Sequence, residues 1–233
     1  MIITIDGPAG AGKSTVARKL AERLGFTYLD TGAMYRAVAL AALRAHISPT
    51  DEQALANLLS QLRLEWYNGR IFLDGEDVSE QIRQPVITEL ARRVADSPTV
   101  RAFLGHLQRH IAQQTNLVTE GRDQGTKIFP HAECKFFLTA SPEVRAWRRW
   151  QELQNRGIAI TYEEVLRQQH ERDQQDAARA LAPLQPAADA ILVDTSQLPI
   201  DAVVELLLAH VRQRLGWPEY PEGIATDRAR PPS

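Results

Sequence analysis

Behind the apolar run MIITI, residues 7 to 15 read GPAGAGKST, and few stretches of this length leave a chain so little choice of fold. Gly7, four residues, Gly12, Lys13 and Ser14 match the phosphate-loop pattern, in which a strand runs into a loop of phosphate-cradling N–H groups and then into a helix. Each letter has a chemical reason. Glycine takes positive φ and lets backbone approach an anion, and the helix starting near Lys13 points its positive end at the charge. Lys13 reaches the β and γ phosphates, and the Ser14 hydroxyl is a magnesium ligand. Gly7, Pro8, Ala9, Gly10, Ala11, Gly12, Lys13, Ser14 and Thr15 therefore form the candidate nucleotide-phosphate site. The plain alternative is a glycine-rich turn with no ligand. The strand before it and the helical pattern after it favour the nucleotide.

Five short apolar runs are each followed by a turn or helix signal: IITI at 2–5, TYL at 27–29, LVT at 117–119, CKFFL at 134–138 and AILV at 190–193. With helical patterns between them they predict an α/β fold, a five-stranded parallel sheet covered on both faces. The second and third runs lie too far apart for one crossover helix, so an insertion is expected there. Within it, LRLEWYNGRIFLDGEDVS flanks Asn68-Gly69 with alternating stretches, a two-residue hairpin signal. Helical patterns lie on either side, AMYRAVALAALRAH and ITELARRVADS. The expected layout is a single domain over 1–216: a core of 1–36, 106–144 and 180–216, an insert over about 37–105 and a helical lid over about 145–179. Ser141 with Pro142 opens the first lid helix and Gly157 closes it. Thr161 and Glu164 read as a capping box for the second, which Pro183 ends. Residues 217–233 are proline-rich and unpatterned, and are expected to be a disordered tail.

A formal charge of -2 argues against general nucleic-acid or membrane-surface binding. The chain opens directly on a strand, shows no signal-peptide pattern and has no apolar stretch near the length of a membrane span, which predicts a cytosolic protein, read as a monomer. Cys134 lies in a strand-like run and reads as a buried thiol. The six histidines show no metal-ligand spacing. Only four of the 27 basic residues are lysines. Base composition of the genome explains that as readily as phosphate-clamping arginine forks do, so each arginine has to be argued by position.

Arg145, Arg148, Arg149 and Arg156 share one face of the first lid helix, around Glu152, while Trp147 and Trp150 read as packing. An arginine-bearing lid suits phosphoryl transfer, where it neutralises charge and excludes water. Arg172, Asp176 and Arg179 repeat the spacing on the second helix, as a site or as an ion-pair ladder. Thr31 and Arg36 follow the second strand, and Glu120, Arg122 and Asp123 the third, where open α/β sheets place ligands. Glu120 is a candidate to order magnesium through water.

Taken in order, GPAGAGKST, LDTGAMYR, GEDVSEQIR, SPTVR, EGRDQGT, FPHAE, FFLTAS and ERDQQDAARALAPL resemble the bacterial cytidylate kinase family over residues 2–215. The resemblance implies the phosphate-loop nucleoside monophosphate kinase fold and transfer of the γ-phosphoryl of ATP to CMP or dCMP with Mg2+. It places ATP on residues 7–15 and Arg148, and cytosine near Thr31, Arg101 and Asp123. The acceptor's phosphate or sugar falls to Arg36, Arg122, Asp176 and Arg179. Lys13, Arg122 and Arg148 are the catalytic candidates, and no general base is needed because the acceptor oxygen is already anionic.

One position departs from the family pattern: Arg92 stands where a small Ser is usual beside the acceptor sugar, which leaves ribose against deoxyribose open. A solvent-edge placement is expected for it, since a buried unpaired guanidinium is costly. Other readings remain: a phosphate-loop kinase for UMP, AMP or a small alcohol, a nucleotide-gated regulator, and an RNA binder built on RAWRRWQELQNR. The absence of an Asn-Lys-x-Asp stretch and the acidic net charge weigh against the last two.

Overall fold

The computed structural model describes residues 1–67 and 69–216. Its centre is an all-parallel sheet in the order β2 (Thr27–Asp30), β6 (Leu117–Gly121), β1 (Ile2–Asp6), β7 (Cys134–Thr139) and β8 (Ile191–Asp194). These are the five expected strands. Helices α1 (Lys13–Leu24) and α8 (Ile200–Leu215) cover one face, where Val16, Leu20, Val204 and Leu207 pack on Ile3, Ile5, Val118 and Phe136. On the other face α2 (Thr31–Arg44) and α5 (Pro98–Ala112) bury Met34, Val38, Val100 and Leu104 with Leu29 and Leu117. Burying each such side chain contributes about 1.5–3 kcal/mol, and it fixes the strand ends where the loops gather. Cys134 is buried, as expected. Among the described residues no helix is long and apolar enough to cross a membrane.

Between α2 and α5 lie α3 (Glu52–Gln61), the three-stranded sheet β3 (Leu64–Tyr67), β4 (Arg70–Leu73) and β5 (Glu76–Asp77), and α4 (Pro85–Val94). The hairpin pairs Tyr67 with Arg70 in antiparallel register, and Gly69 takes φ 72°. Asn68 lies outside the described residues, as does the expected disordered tail over 217–233.

In the segment expected to be the lid, α6 (Pro142–Asn155) packs on α7 (Tyr162–Ala178) through Ala146, Leu153 and Val165. Gly157 at φ 73° ends α6 in a Schellman arrangement, with Ile158 N–H donating to Leu153 C=O at 3.0 Å and Gly157 N–H to Gln154 C=O at 2.9 Å. The capping box is only half made: Thr161 accepts from the Glu164 N–H at 3.2 Å, while the Glu164 carboxylate is taken by Arg167 and Gln168. Helix α7 also stops at Ala178 rather than at Pro183. Arg179 turns to extended backbone there, and its side chain bridges Asp176 and Asp96, an exchange of helical hydrogen bonds for ion pairs. Trp150 packs, its indole donating to Ile160 C=O at 3.0 Å, but Trp147 is 48% exposed and only leans on Trp150 and Tyr162.

Asp6, buried at the end of β1, ties the two functional loops together. Its carboxylate accepts the Gln124 N–H at 2.9 Å and the Gly125 N–H at 2.7 Å, both in the π-type turn Gln124–Ile128 that follows β6. Burial pushes its carboxyl up from 3.8 to about 6. The folded chain therefore keeps this proton to higher pH than the unfolded chain, and Asp6's contribution to stability falls as pH rises from about 4 to 6. Asp6→Ala should cost about 2 kcal/mol or more, from two N–H groups left without acceptors. Asp6→Asn should flatten that pH slope, read from melting curves of both proteins between pH 4 and 7.

Candidate active site

The phosphate loop is held by its carbonyls. Lys13 Nζ donates to Pro8 C=O at 2.7 Å, Arg145 and Gln169 donate to Ala9 C=O at 3.2 and 3.1 Å, and the Thr195 hydroxyl donates to Ala11 C=O at 3.2 Å. Among the described residues, the N–H groups of Ala9 to Thr15 make no hydrogen bond. A nest of donors at a helix N-terminus is a ready anion site. Gly7 makes it possible to bring this loop against β7, since a Cβ there would lie 1.9 Å from Leu138 C=O. Gly12 caps α1 at φ 87°.

Lys13 and Glu120 are buried together beneath the loop. Burial and the Arg122 charge press the Lys13 ammonium down, and burial and Asp30 push the Glu120 carboxyl up. Both directions describe a site with charge awaiting a partner. Ser14 donates to Glu120 Oε1 at 2.9 Å, so the hydroxyl read as a magnesium ligand and the carboxylate read as ordering magnesium through water lie side by side.

The acceptor candidates fall into linked pairs, of which only Arg101 and Arg179 line the cleft described below. Arg122 donates to Asp176 at 2.8 Å, and Arg179 joins Asp176 at 3.1 Å and Asp96 at 2.9 Å. Arg101 pairs with Asp123, both largely buried, and braces itself on Ala95 C=O at 3.2 Å. Thr31 spends its hydroxyl proton on Glu120 C=O at 2.7 Å, and Arg36 stays with Asp30 at 3.3 Å. A cleft of about 550 Å³ opens here, walled by Arg92, Arg101, Asp96 and Arg179. A second groove of about 530 Å³, between α5 and β3, is lined by Leu62, Leu64, Phe103 and Leu107 and holds none of these groups. Arg92 straddles the rim: one nitrogen pairs with Glu89 at 2.8 Å, while Nε is buried without a partner.

The four lid arginines do not act as one face. Arg145 is buried under the loop, donating to Ala140 C=O at 2.8 Å and paired with Asp173 at 2.7 Å. Arg148 donates to the Thr195 hydroxyl at 3.0 Å and its C=O at 2.6 Å, which places it one residue away from the loop backbone. Arg149 and Arg156 turn outward to Glu152.

A family model for cytidylate kinase matches residues 3–213. The chain is 50% identical to a cytidylate kinase of Caldanaerobacter subterraneus subsp. tengcongensis over 91% of this chain and 94% of that one, and 48% identical to one of Rhodopirellula baltica over 91% and 93%. The chain belongs to the cytidylate kinase family. A crystal structure of an uncharacterized protein from Eubacterium ventriosum shares the fold at TM-score 0.51 and 13% identity, covering 91% of this chain and 98% of that one.

Several groups around the site of this cytidylate kinase family member were given no role of their own from its sequence. Arg172 was read with Asp176 and Arg179 as a site or as an ion-pair ladder; its Nε is buried without a partner, and burial together with Arg122 lowers its pKa to about 9. Its charge also bears on Lys13. Thr195, between Arg148 and the loop, gave no signal because it lies in an unpatterned turn after β8. Asp6 did carry one: a carboxylate ending a strand that is otherwise apolar apart from Thr4.

Proposed function

We propose that this chain transfers the γ-phosphoryl of ATP to CMP and dCMP, with ATP on the phosphate loop and the acceptor in the cleft between α4 and α7. One observation carries the reading: Lys13, Arg122 and Arg172 converge between the donor loop and the acceptor cleft, close enough for their charges to bear on one another. Asp176 pairs with Arg122 and the Glu120 charge bears on Lys13, so carboxylates hold these cations in place while their remaining N–H groups can turn to a phosphoryl group in flight.

Ser14 and Glu120 would hold magnesium, which when bound neutralises charge on the β and γ oxygens; two adjacent hard oxygen donors fit an ion that keeps most of its water. The loop N–H groups hold the donor phosphates. Lys13 leaves the Pro8 carbonyl for the β and γ oxygens, and Arg148 neutralises charge from the lid. Arg122 and Arg179, already oriented by Asp176, and Arg36 clamp the acceptor phosphate or sugar, and Arg172 adds charge at the transfer point. Arg101, Asp123 and Thr31 read cytosine. The acceptor oxygen attacks as an anion, so the work is alignment and charge neutralisation rather than proton removal. Residues 37–105 serve as the monophosphate-binding insert and 145–179 as the lid.

ADP release assayed against a panel of nucleoside monophosphates tests the reading. CMP and dCMP should be phosphorylated at least tenfold more efficiently than UMP or AMP, the scale on which unpaired buried polar groups reject a wrong base. Preference for AMP or for an alcohol acceptor would overturn it.

A further inference from the structure

The β2–β6 register pairs Tyr28 with Val118 and Asp30 with Glu120. Alternation along both strands puts Tyr28, Asp30 and Glu120 on one face of the sheet, the face that α1 covers. From α1, one turn apart, Ser14 and Arg18 come down on this group: Ser14 donates to Glu120, and the Arg18 guanidinium lies over the Tyr28 ring at 5.6 Å. Trp66 meets the same ring edge-on at 6.3 Å and its indole donates to the Tyr28 C=O at 2.9 Å. The ring is thus fixed. The Tyr28 hydroxyl is buried and makes no well-formed hydrogen bond. The Ser14 hydroxyl close by donates to Glu120 and offers the phenol only a poorly aligned acceptor, and burial, together with the negative charge of Glu120 and Asp30, keeps the phenol protonated.

A buried donor without a well-aligned acceptor is costly, and a phenylalanine would fill this space without that cost. We propose that the Tyr28 hydroxyl is a positioning donor for the metal end of the donor nucleotide, holding magnesium-bound water against Glu120 and Asp30. This rests on the assignment of Ser14 as a metal ligand and of Glu120 as holding the metal through water. Groups one step outside a metal's ligands set their orientation, and losing one commonly weakens metal binding by about ten- to a hundredfold. Tyr28 does not touch the transferred phosphoryl; it acts through the water and carboxylate that hold the metal.

Calorimetric titration of the full chain with ATP, in the presence and absence of Mg2+, separates the possibilities. Tyr28→Phe keeps the ring, the Trp66 contact and the Arg18 stack. It should bind ATP about tenfold more weakly with Mg2+ and within about twofold of wild type without it. Its melting temperature should be equal to or above that of the parent, because an unsatisfied hydroxyl has gone. Equal weakening with and without Mg2+, or no weakening in either, would overturn the proposal. Ser14→Ala distinguishes the underlying assignment: if it and the wild type show the same Mg2+ dependence, the metal is not held at Ser14, and the Tyr28 role falls with it.

Discussion

Lys13→Ala should lower kcat by about two to three orders of magnitude, the scale of removing one preorganised charge from a transition state. The ground state makes this variant unusually clean to read. Lys13 is buried, its ammonium is depressed by burial and by Arg122, and its one hydrogen bond goes to the Pro8 carbonyl. Removing it relieves a desolvated cation while exposing one carbonyl, so the melting temperature should move little. Wild-type turnover in folded Lys13→Ala protein would remove the phosphate-loop reading altogether. Lost turnover with a collapsed melting curve would mean that Lys13 props up the loop and is not a transition-state group.

The sheet and the donor site were legible because both depend on local pattern. Five apolar runs gave the strands, and the phosphate loop dictates its own backbone: Gly7 and Gly12 are needed where a Cβ would strike Leu138 or where φ is positive. Helix α6 was legible through Ser141, Pro142 and Gly157. Helices α3 and α5 were not read because their apolar faces pack on each other and on the small sheet, and that partner cannot be seen from one segment. The early end of α7 was hidden for a similar reason. It follows from Arg179 reaching Asp96, 83 residues away in the chain. The same limit applied to the lid arginines, where helical spacing put four on one face but could not say that Asp173 would draw Arg145 inward.

Arginine abundance divides in the same physical way. Arg23, Arg44, Arg149 and Arg167 make exposed pairs with glutamates, which solvent screens and lysine could replace. Arg101, Arg122 and Arg179 are largely buried and each meets a carboxylate in the cleft. There the planar fork matters, because one guanidinium can keep its carboxylate and still present nitrogens to a substrate.

Arg101 and Asp123 allow the acceptor reading to be separated from plain structural support. Burial raises the Asp123 carboxyl, and the Arg101 charge opposes that rise. Arg101→Ala should therefore cost about 3–5 kcal/mol of stability, the usual penalty for breaking a buried pair and leaving one charge behind. Without Arg101 the Asp123 carboxyl rises further, and the variant's deficit should grow as pH climbs through that raised pKa. In the assay, loss of one cytosine-reading group should lower kcat/KM for CMP about tenfold or more while ATP affinity barely moves. The double variant Arg101→Met, Asp123→Leu settles which effect is which. Replacing both charges with apolar groups of similar size should recover most of the stability lost by the single change, since the buried pair itself contributes little net stability. Base selection should not return: CMP and UMP should be used with similar, low efficiency. A double variant that regains stability and still prefers CMP would show that this pair only braces the turn after β6, and that cytosine is read elsewhere in the cleft.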